Sequence, residues 1–252
     1  MMYKFPAILM RAIVLSRPNR FIMVVRLDSG TEMRAHCPVP GAIPIDLAGR
    51  PCLIDMAPAN TKRKTQATVH AIECSIDQIL HPPSRDTFSA VSWVGINQSL
   101  VNSVIFSMLR ENALKRMVDT ELCAIRREVR VGSSRLDFYV DSGTYIEVKA
   151  PLMFSSTISR SDNNGGRLIR HLNDLALIAS QSSSRAILLL VFLYNAEVFT
   201  APGGSDPSTL HPVRATVAKA ISNGVELWQV NMKIDENGIS LLDLFPLPNL
   251  LQ

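Results

Sequence analysis

The sequence predicts a two-domain α/β (α+β) protein, in which a small β-barrel precedes a mixed sheet with flanking helices. Three observations predict this fold class. Residues 3–80 contain short β-rich runs separated by turn signals, and five prolines between positions 38 and 58 exclude long helices there. From residue 82 onward, helical and strand patterns alternate. The predicted domains are therefore 1–81 and 82–252, joined at the sequence His-Pro-Pro-Ser that begins at position 81.

The first domain is predicted to contain about five strands, and a closed antiparallel barrel is the economical arrangement because closure removes exposed strand edges. The predicted strands are residues 12–15, 21–27, 32–37, 52–56 and 65–72.

The second domain is predicted to follow the order α-β-β-β-α-β-α-β, which implies a central mixed sheet with helices packed on it. The run at 186–194 is continuously apolar, which is typical of a strand buried on both faces. The predicted helices are 98–116, 167–181 and 209–222, and the predicted strands are 123–131, 135–140, 144–149, 186–194 and 225–233.

Composition indicates a globular, intracellular protein without a membrane span. Apolar residues make up 47% and charged residues 19% of the chain, a balance that is typical of packed folds. No apolar run approaches the roughly 20 residues of a spanning helix, and no two of the four cysteines have metal-ligand spacing. We expect a cytoplasmic location and reduced thiols. The net charge of +4 permits a polyanionic partner without requiring one.

A hairpin with the loop Asp-Ser-Gly at 141–143 carries the most informative pattern. Its register brings three apolar-face pairs together: Leu136 with Val148, Phe138 with Ile146 and Val140 with Thr144. A shift by one residue would mix the two faces, so the hydrophobic pattern selects this register. On the other face, Asp137 then lies opposite Glu147, and Arg135 lies opposite Lys149.

These carboxylates predict a metal-dependent site. Two carboxylates directly opposite each other destabilise a sheet unless a cation sits between them. With a two-residue turn at 132–133, Glu128 on the preceding strand would face Asp137. Glu128, Asp137 and Glu147 are therefore the predicted ligands, and their oxygens suit Mg²⁺ or Mn²⁺. Asp137, Glu147 and Lys149 are the predicted catalytic residues, with Lys149 stabilising developing charge or orienting the nucleophile. The alternative is a solvated strand face with ordinary alternating charges.

Two groups of basic residues are candidates for phosphate contact. Lys62, Arg63 and Lys64 lie in the predicted barrel, where Phe21 is the one aromatic residue suited to stacking. Arg167 and Arg170 share a helix face with His171 and Asp174, and this helix follows the carboxylate strands. A solvated loop and the wet side of an amphipathic helix are the respective alternatives. We expect His171 to form hydrogen bonds rather than to bind a metal.

Four segments in order carry a resemblance to a known family: His-Cys-Pro at 36–38, Asn-Thr-Lys-Arg-Lys at 60–64, Ser-Arg-Leu-Asp-Phe at 134–138 and Tyr-Ile-Glu-Val-Lys at 145–149. Through them the sequence resembles the sugar fermentation stimulation protein A family nearly from end to end. The resemblance implies an N-terminal OB-fold domain and a C-terminal domain of the PD-(D/E)XK nuclease type. It also implies DNA binding without marked sequence preference and a regulatory link to maltose metabolism.

The resemblance carries over Asp137, Glu147 and Lys149 as the nuclease-type core, with Glu128 beside them. It makes the basic residues 62–64 candidates for DNA contact. Where the family's early helix usually has an acidic residue, this chain has Ser107, which removes one further metal ligand.

Three functional hypotheses follow from these residues. The first is a sequence-tolerant DNA-binding protein that regulates by occupancy. The second is a Mg²⁺- or Mn²⁺-dependent nuclease. The third treats the ionic cluster as structural, with the protein acting through protein partners. The pattern leaves open whether the nucleic acid is DNA or RNA, whether it is single- or double-stranded, and which oligomeric state the protein adopts.

Overall fold

The computed structural model describes residues 2–39, 43, 45–58, 63–75, 91–132, 134–152, 165–181, 183–199 and 212–247. The chain divides into two compact units. The first contains Met1–Val104, Phe192–Ala196 and Asn231–Leu242. The second contains Ile105–Val191, Glu197–Val230 and Asp243–Gln252.

A closed five-stranded barrel forms most of the first unit. Its strands are β2 (Met10–Asn19), β3 (Ile22–Leu27), β4 (Glu32–His36), β5 (Pro51–Met56) and β6 (Ala67–Ser75). The strand order is β4-β3-β2-β5-β6, and a parallel pairing of β4 with β6 closes the ring. This is the five-stranded closed topology of an OB-fold, which confirms the predicted barrel.

Alternation of apolar and polar residues explains why these segments form barrel strands. Met23 and Val25 of β3 are fully buried, whereas the next residue, Arg26, is exposed. Such a period of two places one face of each strand in the barrel interior. Cys52 and Cys74 also lie in this interior, where burial raises the pKa of Cys52 to about 12. None of the four cysteines forms a disulfide, and Cys37, Cys52 and Cys74 are buried.

Two further strands of the first unit were absent from the sequence prediction. Strand β7 (Val91–Gly95) pairs with β6, and β1 (Met2–Lys4) pairs antiparallel with residues 238–240 of the last strand. Such short pairings between distant positions leave no periodic pattern in the sequence.

The remaining elements follow the predicted order, with one addition. They are α1 (Val101–Arg110), β8 (Ile125–Val131), β9 (Ser134–Val140), β10 (Thr144–Lys149), α2 (Gly165–Ala179), β11 (Arg185–Phe192), α3 (Pro212–Ser222), β12 (Glu226–Ile234) and β13 (Gly238–Pro246). Strand β13 is the addition, and it follows β12 through a tight turn in which Asp235 N donates to Gly238 O at 3.0 Å.

The mixed sheet has the order β1-β13-β12-β11-β10-β9-β8. Strands β8, β9 and β10 are antiparallel neighbours, whereas β10 and β11 are parallel. The parallel pair requires a crossover, which α2 supplies. The order α1-β8-β9-β10-α2-β11 follows the predicted α-β-β-β-α-β, so the predicted fold class, a mixed sheet with flanking helices after a β-barrel, is confirmed.

The first predicted helix is shorter than its pattern indicated. A 3₁₀ turn at Gln98–Leu100 precedes α1, which ends at Arg110. Asn112 follows with φ of 53°, a left-handed conformation that commonly ends helices. Its side-chain oxygen accepts a hydrogen bond from Thr120 N at 2.9 Å, which ties down the chain that leads to β8. Within the described ranges, none of the helices is both long enough and apolar enough to cross a bilayer.

Candidate functional site

The β9–β10 hairpin forms in the predicted register. Val140 pairs with Thr144, and Phe138 pairs with Ile146. The loop between them closes with a hydrogen bond from Gly143 N to Val140 O at 3.0 Å, and Gly143 has φ of 87°. The apolar face is buried as expected, so the opposite face is left to the charged residues.

Asp137 and Glu147 lie on that opposite face. Asp137 is half-buried, and its Oδ2 accepts a hydrogen bond from Val148 N at 2.8 Å. Glu147 is only 1% exposed. The hairpin thus presents one carboxylate that is held by the main chain and one that is almost fully enclosed.

Two basic side chains meet at a single oxygen of Glu147. Lys149 Nζ lies 2.5 Å from Glu147 Oε1, and His171 Nδ1 contacts the same atom. Among the described residues, Glu147 Oε2 is buried and has no hydrogen-bond partner. Burial raises the pKa of Glu147, but the His171 hydrogen bond and the Lys149 charge outweigh it and hold this pKa below its usual value. The carboxylate is therefore ionised at neutral pH, and its Oε2 is available to a further ligand.

Helix α2 brings His171 to the site. Its apolar residues Leu168, Leu172 and Leu175 are buried, as the helical spacing predicts. His171 is 5% exposed, whereas Arg167 is exposed. The four residues that the sequence placed on one helix face therefore do not share one environment. His171 points into the protein, whereas Arg167 and Arg170 point to solvent.

The contact between His171 and Glu147 was not predicted from the sequence. His171 forms a hydrogen bond, as expected, but its partner lies on a strand 24 positions earlier in the chain. The sequence does contain a signal that His171 is buried. It lies three residues after Leu168 and four before Leu175, so it falls on the apolar face of the helix. Asp174, one turn later, is half-buried, and its Oδ2 is also buried without a hydrogen-bond partner in the described chain.

Glu128 lies at the expected register but points to a different partner. Its neighbours Arg127 and Val129 pair with Phe138 and Leu136, so Glu128 falls level with Asp137. It has φ of 52°, and its exposed carboxylate forms an ion pair with Arg135 at 3.0 Å. In the part of the chain that the structure describes, no three His, Cys, Asp or Glu side chains are grouped closely enough to hold a metal ion. The role of Glu128 as a ligand stays a prediction.

The predicted basic residues are exposed wherever they are described. Arg63 and Lys64 are exposed in the first unit, as is Arg170 on α2. Lys62 lies outside the described residues. Phe21 of the barrel is 45% exposed, and the Arg20 guanidinium lies 4.6 Å from its ring centroid.

Family models match most of the chain. The model described as the SfsA N-terminal OB domain matches residues 15–80, and the model described as the sugar fermentation stimulation protein RE domain matches residues 99–238. The chain belongs to the sugar fermentation stimulation protein family. The barrel and the carboxylate site therefore fall in separate domains of this family.

Similar proteins of the family cover nearly the whole length. A sugar fermentation stimulation protein homolog of Methylorubrum populi is 27% identical over 95% of this chain and 93% of that protein. A homolog of Synechococcus elongatus is 29% identical over 98% of both. The structure of Pyrococcus furiosus SfsA in complex with Ca²⁺ covers 98% of this chain and 99% of its own, with a TM-score of 0.65 and 18% identity. At that identity the structural likeness shows the fold alone.

Proposed function

We propose that this chain binds DNA with little sequence preference. The observation that carries the proposal is an arginine edge in the second unit. It consists of Arg126, Arg127, Arg130 and Arg135, all exposed on β8 and β9. Strand β8 is the last strand of the sheet, and Glu128 is the one exposed carboxylate on these two strands. Such a concentration of guanidinium groups suits the phosphate backbone of a nucleic acid.

Basic residues elsewhere support the same proposal. In the first unit, Arg63 and Lys64 are exposed, and Arg20 lies over the exposed ring of Phe21. Barrels of this kind bind strands through cationic loops and aromatic faces. Phosphate contacts position a nucleic acid without reading its sequence, which fits a sequence-tolerant protein. Occupancy of DNA would then be the basis of a regulatory role in sugar metabolism, including the maltose metabolism that the family resemblance implies.

The affinity for DNA is expected to fall steeply with salt, because bound phosphates release counterions. Each neutralised phosphate contributes a log–log slope of about 0.9, so Arg127→Ala combined with Arg130→Ala should reduce the slope by about 1.8. Fluorescence anisotropy with a labelled DNA duplex from low to moderate salt measures both values.

Lys115→Ala is the matched control for this experiment, because Lys115 is an exposed cation that is not part of the arginine edge and pairs with Asp119. The double variants Arg63→Ala with Lys64→Ala and Arg167→Ala with Arg170→Ala extend the test to the other basic groups. An affinity that barely changes with salt would contradict DNA binding through phosphates.

A metal-dependent nuclease is the second candidate function, and the carboxylate site favours it. Glu147 is ionised and buried with Oε2 unpartnered in the described chain, and Asp137 lies beside it. Oxygen donors of this kind fit Mg²⁺, Mn²⁺ or Ca²⁺. The similar Pyrococcus furiosus protein was solved with Ca²⁺, which supports a divalent cation here. We infer that Asp137 and Glu147 would hold the ion, with Glu128 as a further predicted ligand.

The protein's own residues prepare this site for phosphate chemistry. Val148 N orients Asp137, while His171 and Lys149 keep Glu147 ionised. The Lys149 side chain is 25% exposed, so its ammonium can also face a phosphate oxygen. A bound divalent ion would supply Lewis acidity and a more acidic water. Lys149 is then the residue that would stabilise charge on the phosphate.

The nuclease candidate predicts nicked or linear plasmid in Mg²⁺ or Mn²⁺ and intact plasmid in EDTA. Glu147→Ala should abolish this cleavage, because it removes the buried ligand, whereas Glu121→Ala alters an exposed carboxylate outside the site and should leave it unchanged. Incubation of supercoiled plasmid with each variant, resolved on a native gel, measures both cleavage and binding. Retarded but intact plasmid in every lane would contradict the nuclease and leave DNA binding as the function.

A further inference from the structure

Two tyrosines and an arginine form a stacking platform beside the carboxylate site. We propose that Tyr139, Tyr145 and Arg126, here called the aromatic platform, bind an unpaired nucleobase. The inference rests on the proposed nucleic-acid binding and deepens it, because it names the substrate class: a single strand, or a strand that is locally unpaired.

The three side chains lie in a row across three adjacent strands. Tyr139 pairs with Tyr145 across the β9–β10 ladder, and their ring centroids are 4.7 Å apart at an angle of 56°. On the other side, Arg126 of β8 pairs with Tyr139, and its guanidinium lies 4.5 Å from the Tyr139 ring centroid. Both tyrosines are half-buried, and Arg126 is exposed. Parts of both rings and the Arg126 guanidinium are therefore accessible to solvent.

The aromatic platform shares a sheet face with the carboxylates. Tyr139 stands two residues after Asp137, and Tyr145 stands two residues before Glu147. Side chains two residues apart on a strand point the same way and lie about 7 Å apart. A base held on the platform would thus place its own strand next to Asp137 and Glu147.

This pair differs from the aromatic residues of the core. Phe138 precedes Tyr139 in sequence and points to the opposite, apolar face of the sheet. It is fully buried and stacks on Phe106 with ring centroids 6.3 Å apart. Tyr139 and Tyr145 instead lie on the charged face, with the exposed Arg126 over one ring. Each ring is half-buried and therefore keeps part of its surface accessible to a ligand.

Charge favours a nucleic-acid strand at this face, and the planar side chains favour one of its bases as the occupant of the platform. Arg130 and Arg135 of the arginine edge lie on the same sheet face as the platform, and their guanidinium groups favour an anionic partner. Aromatic rings and guanidinium planes stack on bases of any sequence, and such stacking is a main source of affinity for single strands. Inside a duplex, each base is covered on both faces by its neighbours. The platform can therefore take an unpaired base but not a base in the interior of a duplex.

The test compares a single-stranded oligonucleotide with a duplex of equal length at one salt concentration. Tyr145→Leu is expected to weaken single-strand binding about tenfold, because stacking on an aromatic side chain is lost, and to leave duplex affinity unchanged. Tyr145→Phe retains the ring and should bind like the wild type. Thermal unfolding of each variant checks that the fold is retained. Fluorescence anisotropy gives the affinities.

A second measurement needs no variant. A single strand that contains 2-aminopurine should lose fluorescence on binding to the wild-type protein, because that base analogue is quenched when it stacks. An equal loss of affinity for single strand and duplex in Tyr145→Leu, or unchanged single-strand affinity with no quenching, would overturn the platform. Absence of binding to either nucleic acid would instead contradict the proposed function itself, so the two failures are distinguishable. Tight binding of an acidic protein with no affinity for oligonucleotides would contradict the proposed function in the same way.

Discussion

Replacing His171 with leucine is expected to lower the free energy of unfolding by about 2–3 kcal/mol at pH 7, since a buried ionised acceptor loses a donor. Glu147 is 1% exposed, and its Oε1 receives both His171 and Lys149. After the substitution, Lys149 alone compensates the buried charge. Leucine maintains the apolar stripe of α2, so the change reports mainly on the lost hydrogen bond. Urea unfolding measures the free energy.

The pH dependence gives a second readout of the same variant. In the wild type the pKa of Glu147 lies below its ordinary value of 4.5, so its contribution is present above about pH 4.5. That contribution is lost as the pH falls through the folded-state pKa. Without His171, the largest contribution that lowers the pKa of Glu147 is lost, so this pKa rises and the stabilising contribution of the carboxylate is lost at a higher pH than in the wild type. The difference between the two proteins should therefore be largest at neutral pH and shrink in acid.

Two controls separate this electrostatic effect from general damage to α2. Arg170→Leu changes an exposed residue of the same helix and should alter stability by no more than about 0.5 kcal/mol. The double variant His171→Leu with Glu147→Leu should recover part of the loss, because the buried carboxylate is gone and the Lys149 ammonium, on a side chain that is 25% exposed, can be solvated. A loss in His171→Leu as small as that in Arg170→Leu would contradict the compensation of Glu147 by His171.

The sequence predicted the parts of the site that depend on local periodicity. Alternation of Leu136, Phe138 and Ile146 with polar residues specified both the hairpin register and which face carries Asp137 and Glu147. A one-residue slip would have mixed charged residues into the apolar face, so few alternatives existed. The helical spacing of Leu168 and Leu172 specified α2 in the same way.

The parts that escaped prediction depend on contacts between distant segments. The partner of His171 depends on how α2 packs against β10, which no local pattern encodes. Strand β13 contains the polar residue Asp243, so its sequence does not read as a continuous apolar strand. It forms partly because it pairs with β1 at the opposite end of the chain. Glu128 has a positive φ and points outward. A positive φ is uncommon at a non-glycine residue and cannot be predicted from the residue type.

Gly143 shows how one loop residue supports the whole carboxylate hairpin, and Gly143→Ala is expected to destabilise the protein by about 3 kcal/mol. Its φ of 87° disfavours any side chain, and a Cβ there would lie 2.8 Å from Ser183 O. That neighbour is main chain and cannot rotate away. Gly143 O also accepts a hydrogen bond from Arg185 N at 3.0 Å, so a displaced loop would disturb the start of the β10–β11 pair.

Gly30→Ala is the matched control, because it isolates the conformational part of this cost. Gly30 has φ of 84°, nearly that of Gly143, but a Cβ there meets no heavy atom of the described chain within 4 Å. Its loss should be about 1 kcal/mol. The excess loss in Gly143→Ala then measures the clash with the main chain at Ser183, by chemical denaturation of both variants. Equal losses would mean that the chain at Ser183 yields easily and that hairpin position is not fixed by this contact. A clear excess would identify the tight packing of the loop as one source of the rigidity that holds Asp137 and Glu147 in register.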